Sequence, residues 1–541
     1  MKFILLHSLL FSFIIYTHGF IFLKKIIKSK NTQNFYETSL IGLIITIILA
    51  QFVNFFLPLN DHLLVLNIIL LIFYVIFFHQ IFKENLKINL KFFFIIISLS
   101  FINIYGSGFS DDLNHYHYSF ISNADKTSFI WGQSFLHPLY GTSPSWLIGH
   151  SYFNFDQYKL QDIHVLNGIV LFLVLGCLFL ELKTQNVKKK IYNPILFCLI
   201  FFILLKYTRL KEFGIDRPST LLFCFLIFYY LKYFLAPNKK DILINFIIIF
   251  LISFFIFSIK IIYLPVLLFP LIIFYRHKSD LAKLNLRYLI ILLPIVVFIM
   301  KNVLGSGCLI YPFETSCVKS IPWSNFIGAH ELSLSAEIFN KSWHSYSGEM
   351  SKESFIKDFN WIPTWFERGK IEIIELFLTT FSIMIISFML FNLRSKKFIL
   401  TNTYLKDFKI ILFLIILFST LIYFLKNPVI RMNHFTIISL MILIISTILK
   451  SSVNAYKINF INVLLILGFL FNFSKNYQRI HDNDFINNPY LMVSKKIYKQ
   501  EKYNIGNFDY YIGWYGQAPI SNQNLSNKNY KKKFIFNILL K

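Results

Sequence analysis

Charged residues are scarce in this chain of 541 residues, of which only 15% are Asp, Glu, Lys or Arg. An ordinary soluble domain has roughly 25% of such residues. At the same time, 56% of the residues are hydrophobic and the mean hydropathy is +0.59. This combination excludes a soluble globular enzyme and an intrinsically disordered chain.

Two common cofactor motifs are also missing. The five cysteines form no paired CxxC pattern, so there is no zinc signature. There is no GxxxxGK[ST] run, so nothing indicates a nucleotide hydrolase. Acidic residues number 27 against 53 Lys and Arg, a formal net charge of +26. In a soluble protein that charge would suggest nucleic acid. In so apolar a chain we assign the lysines to the loops of a membrane protein and predict no nucleic-acid partner.

Long apolar runs recur along the whole chain. A helix that crosses a bilayer core of about 30 Å needs about 20 apolar residues. We therefore predict an all-α polytopic membrane protein with about fourteen transmembrane helices in a domain covering 1–473. The expected spans are 3–23, 39–57, 63–82, 92–106, 163–182, 192–208, 219–235, 242–258, 261–275, 288–304, 372–393, 409–425, 432–449 and 457–473. Whether 242–275 holds two spans or one kinked re-entrant element stays open.

The loops between these spans divide by charge. Alternate loops are short and rich in Lys and Arg, for example 24–30, 183–190 and 276–287. The positive-inside rule places such loops in the cytoplasm. Both termini and the two long loops then lie outside. These loops cover about 107–162 and 305–371, and a small extracytoplasmic C-terminal module is expected at 474–541.

The first long loop opens with groups suited to proton transfer. Asp111 and Asp112 are followed by His115, Tyr116 and His117. A carboxylate here could deprotonate a sugar hydroxyl, which makes the two aspartates and His117 catalytic candidates. His115 and Tyr116 are candidates for substrate binding. Asp/His clusters can also bind a divalent metal. The structural alternative is that Asp111 and the serine before it cap a short helix.

Further polar residues lie beside later spans and are candidates for substrate binding. They are His137, Glu212, Asp216, Arg217, Lys260 and Arg431. The histidine lies in an aromatic stretch that is either an interfacial belt or a sugar-stacking platform. A cation at membrane depth is costly, so the isolated Lys and Arg are candidate ligands of a lipid phosphate. Snorkelling of these side chains to the interface is the alternative.

The second long loop carries two of the five cysteines. Cys308 and Cys317 lie close together on the predicted outer side, so an oxidising compartment makes them a candidate disulfide. Cys177, Cys198 and Cys224 fall within spans and are expected to be buried apolar residues.

Several segments, taken in order, resemble those of an uncharacterised family of bacterial polytopic membrane proteins. That family is similar to the GT-C superfamily of glycosyltransferases, which use polyprenyl-phosphate-linked sugars. The matching segments are Asp112 with Tyr116-His117, His137 to Trp146, Lys211 to Asp216, Ser306 to Pro312 with Cys317, Asn360 to Trp365, and Asn427 to Arg431. The chain departs at Leu139, where some relatives have an arginine, and at Asn433-His434, which replace a Gly-Gly pair.

The resemblance implies a GT-C-like fold in a bacterial inner membrane. It implies Asp112, or its neighbour Asp111, as the catalytic base. Cations such as Lys260, Arg217 and Arg431 would then bind the donor phosphate. The implied partners are a lipid-linked sugar donor, a glycan or glycolipid acceptor and membrane lipids. The use of a divalent metal is left open.

Two other functions fit the same features. An O-antigen or capsule-type polysaccharide polymerase would share the spans, the outer loops and the lipid-linked substrates. It would transfer whole repeat units, so its loss would leave single-repeat glycan. A non-enzymatic flippase or transporter would place functional charges towards the bilayer midplane and expose them to both sides in turn, whereas here the polar clusters favour the outer side.

Overall fold

The computed structural model describes most of the chain, and the described residues are mostly helical. They are 2–29, 33–77, 90–105, 112, 116–153, 165–183, 192–208, 210, 214–234, 242–281, 289–392, 403–448, 455–482, 501–505, 508–512, 519–533 and 536–540.

The helices follow the apolar runs of the sequence. They are α1 (Lys2–Phe20), α2 (Phe35–Asn54), α3 (Asp61–Phe77), α4 (Leu90–Tyr105), α5 (Tyr118–Lys126), α6 (Ser145–Tyr152), α7 (Val165–Lys183), α8 (Asn193–Lys206), α9 (Asp216–Phe234), α10 (Ile242–Ile259), α11 (Leu268–Arg276), α12 (Lys278–Leu281), α13 (Leu289–Ser306), α14 (Phe326–Asn340), α15 (Lys352–Ile356), α16 (Ile362–Asn392), α17 (Thr403–Leu425), α18 (His434–Ile448) and α19 (Ala455–Asp482).

In the described part of the chain, nine helices are long and apolar enough to cross a membrane. Three further apolar helices are shorter, and they cover Phe93–Ile104, Asn193–Lys206 and Ile261–Arg276. Together with α3 and α9, these helices overlap all of the predicted spans. The protein is therefore a helical multi-pass membrane protein, while the count of about fourteen spans stays a prediction.

The first two long helices pack backbone to backbone. A Cβ on Gly19 would lie 1.9 Å from the carbonyl oxygen of Thr38, and one on Gly42 would lie 1.8 Å from that of Ile15. Only glycine permits such an approach, and small residues of this kind are typical of helix pairs in membranes. Substituting either glycine would push α1 and α2 apart.

Burial separates a central group of helices from a peripheral one. In the 18-residue apolar stretch of α7, 89% of the residues are buried inside the protein. In the corresponding stretches of α16, α17 and α19, 28% are buried. Because the peripheral helices are apolar on their unburied faces as well, those faces suit contact with lipid. The C-terminal helices therefore provide much of the lipid-facing surface, together with exposed apolar residues of α3 and α13 such as Ile69 and Leu292.

A buried ion-pair network joins helix ends on the side predicted to be cytoplasmic. The Lys232 ammonium pairs with the carboxylate of Glu37, which is fully buried, and lies 3.5 Å from Glu181. Tyr233 donates a hydrogen bond to Glu37 at 2.7 Å, and Tyr192 donates one to Glu181 at 3.0 Å. These contacts hold the ends of α2, α7, α8 and α9 at one depth.

The C-terminal module is a small β structure that packs on the first long loop. Strands β1 (Glu501–Ile505), β2 (Phe508–Ile512) and β3 (Ile520–Ser521) form one sheet, with β1–β2 antiparallel and β2–β3 parallel. Strands β4 (Asn529–Lys533) and β5 (Phe536–Leu540) form an antiparallel pair. The backbone of Trp131 bonds to β5 through Asn537 and Leu539, both at 2.9 Å. The preceding helix runs to Asp482, beyond the predicted domain boundary at 473.

The second long loop is fastened near its start and at its middle. Cys308 and Cys317 form a disulfide near its start. At its middle, the carboxylate of Glu337 in α14 pairs with Lys341 and with Lys426, both at 2.6 Å. Asn325 also donates a hydrogen bond to the carbonyl oxygen of Ser134, 3.3 Å away, so the two long loops lie on the same side of the helices.

Candidate functional site

The chain breaks its helical pattern at Lys260. Helix α10 ends at Ile259, and Lys260 has an extended backbone, with φ −153° and ψ 122°. A 3-10 helix, Ile261–Leu267, then contains Pro265, which cannot donate the backbone hydrogen bond that an α-helix needs at that position. The region 242–276 is thus a helix of full span length followed by a shorter helix in two pieces, and the lysine lies at the break between them.

The break brings Lys260 against Asp216, the first residue of α9. Their side chains form an ion pair and are only 19% and 21% exposed. A carboxylate at a helix N-terminus is favoured by the helix dipole. Behind the pair, the hydroxyl groups of Thr220 and Tyr263 are hydrogen-bonded at 2.9 Å, which fixes α9 to the 3-10 helix. The ion pair is therefore held rigidly by two elements.

Arg431 joins this pair to the first long loop. It lies in a short 3-10 helix, Ile430–Asn433, directly before α18. Its Nε is 3.4 Å from Oδ2 of Asp216, and one of its terminal nitrogens is 4.0 Å from Oδ2 of Asp112. We name Asp112, Asp216, Lys260 and Arg431 the charge cluster. It contains two carboxylates and two cations, so its formal charges balance.

The charge cluster has a closed end and an open end. The side chains of Arg431 and Asp112 are 47% and 49% exposed, more than twice the exposure of the Lys260–Asp216 pair. A weak contact between half-exposed partners can be exchanged for a ligand at little cost. An anionic ligand could therefore approach Arg431 while the buried pair stays intact.

His117 is buried beside the charge cluster. It is 2% exposed, and neither ring nitrogen has a hydrogen-bond partner among the described residues. Burial lowers the pKa of this imidazole from 6.5 to about 4, although the charges of Asp112 and Asp216 act in the opposite direction. The ring is thus neutral at pH 7 and takes up a proton only as the pH falls towards 4. Tyr116, whose ring centroid is 4.3 Å away, has a pKa raised by burial and stays protonated.

This depressed pKa predicts how stability depends on pH. Between pH 6.5 and 4 the unfolded chain takes up a proton on residue 117 that the folded chain cannot, so stability falls as pH falls through that window. One proton gives a slope of at most about 1.4 kcal/mol per pH unit. His117→Gln should lose less stability than the parent over this window in thermal unfolding at a series of pH values. Parallel pH profiles for the two proteins would contradict the neutral, buried imidazole.

His137 contacts Tyr116, which lies beside the charge cluster. Its Nδ1 accepts a hydrogen bond from the backbone N–H of Leu139 at 3.1 Å and so caps the 3-10 helix Pro138–Thr142. Its ring stacks on Tyr116 and on Tyr140, with centroid distances of 6.1 and 5.0 Å. These contacts indicate that His137, predicted to bind substrate, positions the residues around His117.

Of the remaining candidates, the structure describes Arg217 alone. Its charge acts on Tyr207 and His434. The hydroxyl of Tyr207 and Nδ1 of His434 are 3.4 Å apart, so Arg217 lies near this second polar group. Asp111, His115 and Glu212 lie outside the described residues. Within the described ranges, no group of three or more His, Cys, Asp or Glu side chains is arranged to hold a metal ion.

Lys301 is a buried cation that sequence reasoning missed. It lies in α13 and is 1% exposed. Its ammonium donates hydrogen bonds to the carbonyl oxygens of Ser143 and Ser258, both at 2.9 Å, and to the hydroxyl of Ser145 at 3.0 Å. It thus ties the first long loop to the end of α10, two residues before Lys260. A lysine near the end of an apolar run is also what snorkelling produces, so the sequence carried little signal.

An apolar groove is lined by residues on both sides of Arg431 in the chain, Ile430 and Asn433. It has a volume of about 360 Å³ and lies between α16, α17 and α18. Ile430, which precedes Arg431, lines it together with Trp365, Phe377, Tyr423 and Leu440. The indole N–H of Trp365 donates a hydrogen bond to the carbonyl oxygen of Pro428 at 2.5 Å, which fixes the turn that carries the arginine. A cation one residue along the chain from an apolar groove is an arrangement that suits an amphiphilic anion.

Comparison with known proteins identifies a family and nothing more. No curated protein matches the chain, and no solved structure matches it. One family model matches residues 1–432, which include every residue of the charge cluster, and the C-terminal module lies beyond the match. The chain belongs to the family described as "Domain of unknown function (DUF8201)".

Proposed function

We propose that this protein is an inverting glycosyltransferase of the GT-C type, acting on a polyprenyl-phosphate-linked sugar at the outer face of a bacterial inner membrane. The observation that carries the proposal is the junction at Arg431. There, a half-exposed cation contacts a carboxylate, Asp112, and directly follows Ile430, which lines an apolar groove among lipid-facing helices. Such a junction suits a ligand with an apolar chain, a phosphate and a sugar. The proposal includes about fourteen spans with both termini outside.

In the proposed reaction, the groove holds the polyprenyl chain and Arg431 holds the phosphate. Asp112 accepts the proton of an acceptor hydroxyl, whose oxygen attacks the anomeric carbon of the sugar. The bond between that carbon and the phosphate oxygen breaks, and the lipid phosphate leaves with the electron pair. Asp216 stays paired with Lys260 and keeps Arg431 in position. The product is a cell-envelope glycan or glycolipid extended by one sugar.

Binding of the leaving lipid tests the role of Arg431. Arg431→Gln should weaken the binding of polyprenyl phosphate to the purified protein in nanodiscs by roughly 10-fold or more, because a hydrogen bond to a charged group contributes about 1.5–3 kcal/mol. The matched control is Arg276→Gln. That arginine is 45% exposed and pairs with Asp407 at 3.1 Å, but it lies in a loop predicted to be cytoplasmic. Equal affinity for both variants would contradict the site.

The glycan that cells accumulate and the fate of the bond between sugar and phosphate distinguish the two alternative functions. A polymerase would leave cells lacking it with single-repeat glycan. A flippase would move the lipid-linked sugar across the bilayer without breaking the bond between sugar and phosphate. Neither alternative has an observation in its favour beyond those already given for transfer.

A further inference from the structure

A second, polar cleft lies on the side of the long loops, away from the lipid-facing groove. Its volume is about 280 Å³, at the lower end of the roughly 300–1,000 Å³ range of ligand pockets. Three separate segments form it: 134–138 of the first long loop, 324–331 of the second, and 523–528 of the C-terminal module. The cleft therefore exists only because the module packs on the two loops.

Hydrogen bonds between the segments hold this cleft in shape. Gln523 donates to the carbonyl oxygen of Phe135, and Ser521 donates to that of Leu136 at 2.9 Å. The Asn524 side-chain oxygen accepts a hydrogen bond from Tyr510 at 3.1 Å. The walls are thus built before any ligand arrives, which lowers the entropic cost of binding.

The lining combines many neutral polar groups with a balanced pair of charges. The neutral groups are amides and hydroxyls, from Ser134, Ser324, Asn325, Gln523, Asn524 and Asn527. The charges are one carboxylate, Glu331, and one ammonium, Lys528, which lies 4.5 Å from the centroid of the Phe135 ring. Because the charges cancel, the cleft does not select an anion.

Two of the lining hydroxyls are also unusual. Ser134 and Ser324 are buried, and their hydroxyl oxygens have no hydrogen-bond partner within the described ranges. Buried polar groups are normally hydrogen-bonded. The apolar parts of the wall come from Pro138, Phe326 and Leu525. A lining of amides, hydroxyls and one carboxylate between short apolar patches complements a molecule with hydroxyl edges and C–H faces.

We propose that this cleft is a binding site for an uncharged saccharide unit. Its position supports a role in holding a glycan acceptor. Phe135 and Pro138 line the cleft, and His137 of the same segment stacks on Tyr116 beside the charge cluster. A glycan bound here has one end held by the module while the rest extends along the loop. Saccharide binding itself does not rest on the proposed function, whereas the acceptor role does.

The probe is a panel of neutral methyl glycosides, comprising those of glucose, galactose, mannose, rhamnose, N-acetylglucosamine and N-acetylgalactosamine. Each is tested at millimolar concentration against the full chain in nanodiscs, by saturation-transfer-difference NMR. We expect at least one to bind. Glu331→Ala should weaken that binding by roughly 10-fold and Asn527→Ala by roughly threefold, as expected for charged and neutral hydrogen bonds. Both side chains are exposed, so both variants should fold.

Each cleft variant has a matched control on the same segment or loop. Asn522→Ala changes an exposed amide on the same segment of the module, and Glu349→Ala changes an exposed carboxylate of the same loop; neither residue lines the cleft. Both controls should bind the glycoside as the parent does. Binding that also persists in Arg431→Gln and Asp112→Asn would separate the cleft from the charge cluster.

Three results would overturn the inference. They are no binding by any glycoside, equal binding by the two cleft variants and the two controls, and displacement of the sugar by inorganic phosphate in a manner that Lys528→Gln abolishes. Saccharide binding without any sugar transfer would leave the cleft in place and count against the proposed function alone.

Discussion

Asp112→Asn should lower the formation of glycan product by about 100-fold or more, because positioned general bases typically contribute 10²–10⁴-fold to a rate. The amide has nearly the same shape as the carboxylate but cannot accept the proton of an acceptor hydroxyl. The fold should be unaffected. The contact between Asp112 and Arg431 is half-exposed at 4.0 Å, and pairs of that kind contribute less than about 1 kcal/mol. The measurement is envelope glycan from cells that carry only the variant, with protein level and thermal unfolding as checks.

Asp358→Asn is the matched control for that experiment. Asp358 is an exposed carboxylate of the second long loop, and its φ of 48° is one that asparagine also tolerates. It should make product at the parental rate. If Asp112→Asn makes as much product as Asp358→Asn, and a variant of the neighbouring Asp111 does so as well, the first-loop carboxylates are not the base.

Asp216→Asn should instead lower the free energy of unfolding, by about 3–5 kcal/mol. The reason is that Lys260 would keep its charge in a largely buried position while losing its ion-pair partner. Arg431 would lose its closer contact at the same time. Replacing both members, as in Asp216→Leu with Lys260→Met, should recover most of the loss, since a buried pair can often be exchanged for apolar side chains. Tryptophan fluorescence during unfolding in detergent measures the stability of the single and of the double variant.

The control for stability is Asp407→Asn. Asp407 pairs with Arg276 at 3.1 Å, and because that arginine is 45% exposed, water can replace the lost contact. Its substitution should cost about 1 kcal/mol or less. An Asp216→Asn protein as stable as Asp407→Asn, or a double variant no better than the single one, would show that the Lys260–Asp216 pair does not anchor the site.

Local sequence signals were sufficient for the helices and for part of the charge cluster. Apolar runs marked the spans, since each such run must form its hydrogen bonds within one helix. Lys260 and Arg431 stood out because a cation beside an apolar run is costly and therefore needs a reason. Asp112 stood out through its neighbours and the resemblance. Which of these side chains would meet could not be read, because the four cluster residues come from four distant segments.

Other features depended on packing between distant segments and carried no local signal. The apolar groove is lined by three helices whose lipid-facing residues look like those of any span. What distinguishes Lys301 from a snorkelling lysine is that the carbonyl oxygens of Ser143 and Ser258, from distant segments, accept hydrogen bonds from its ammonium. The last helix continues to Asp482, past the expected boundary at 473. The end of its apolar run marked the boundary, but its polar C-terminal turns are helical as well.

The most direct test of the proposed function is transfer by the purified full chain in proteoliposomes, supplied with a radiolabelled polyprenyl-phosphate sugar and an envelope glycolipid extract as acceptor. We expect the label to move to the acceptor and polyprenyl phosphate to be released in equal amount. Asp112→Asn protein should neither transfer label nor release polyprenyl phosphate. Label that stays on the polyprenyl phosphate, whether or not the lipid crosses the bilayer, would contradict the proposed function.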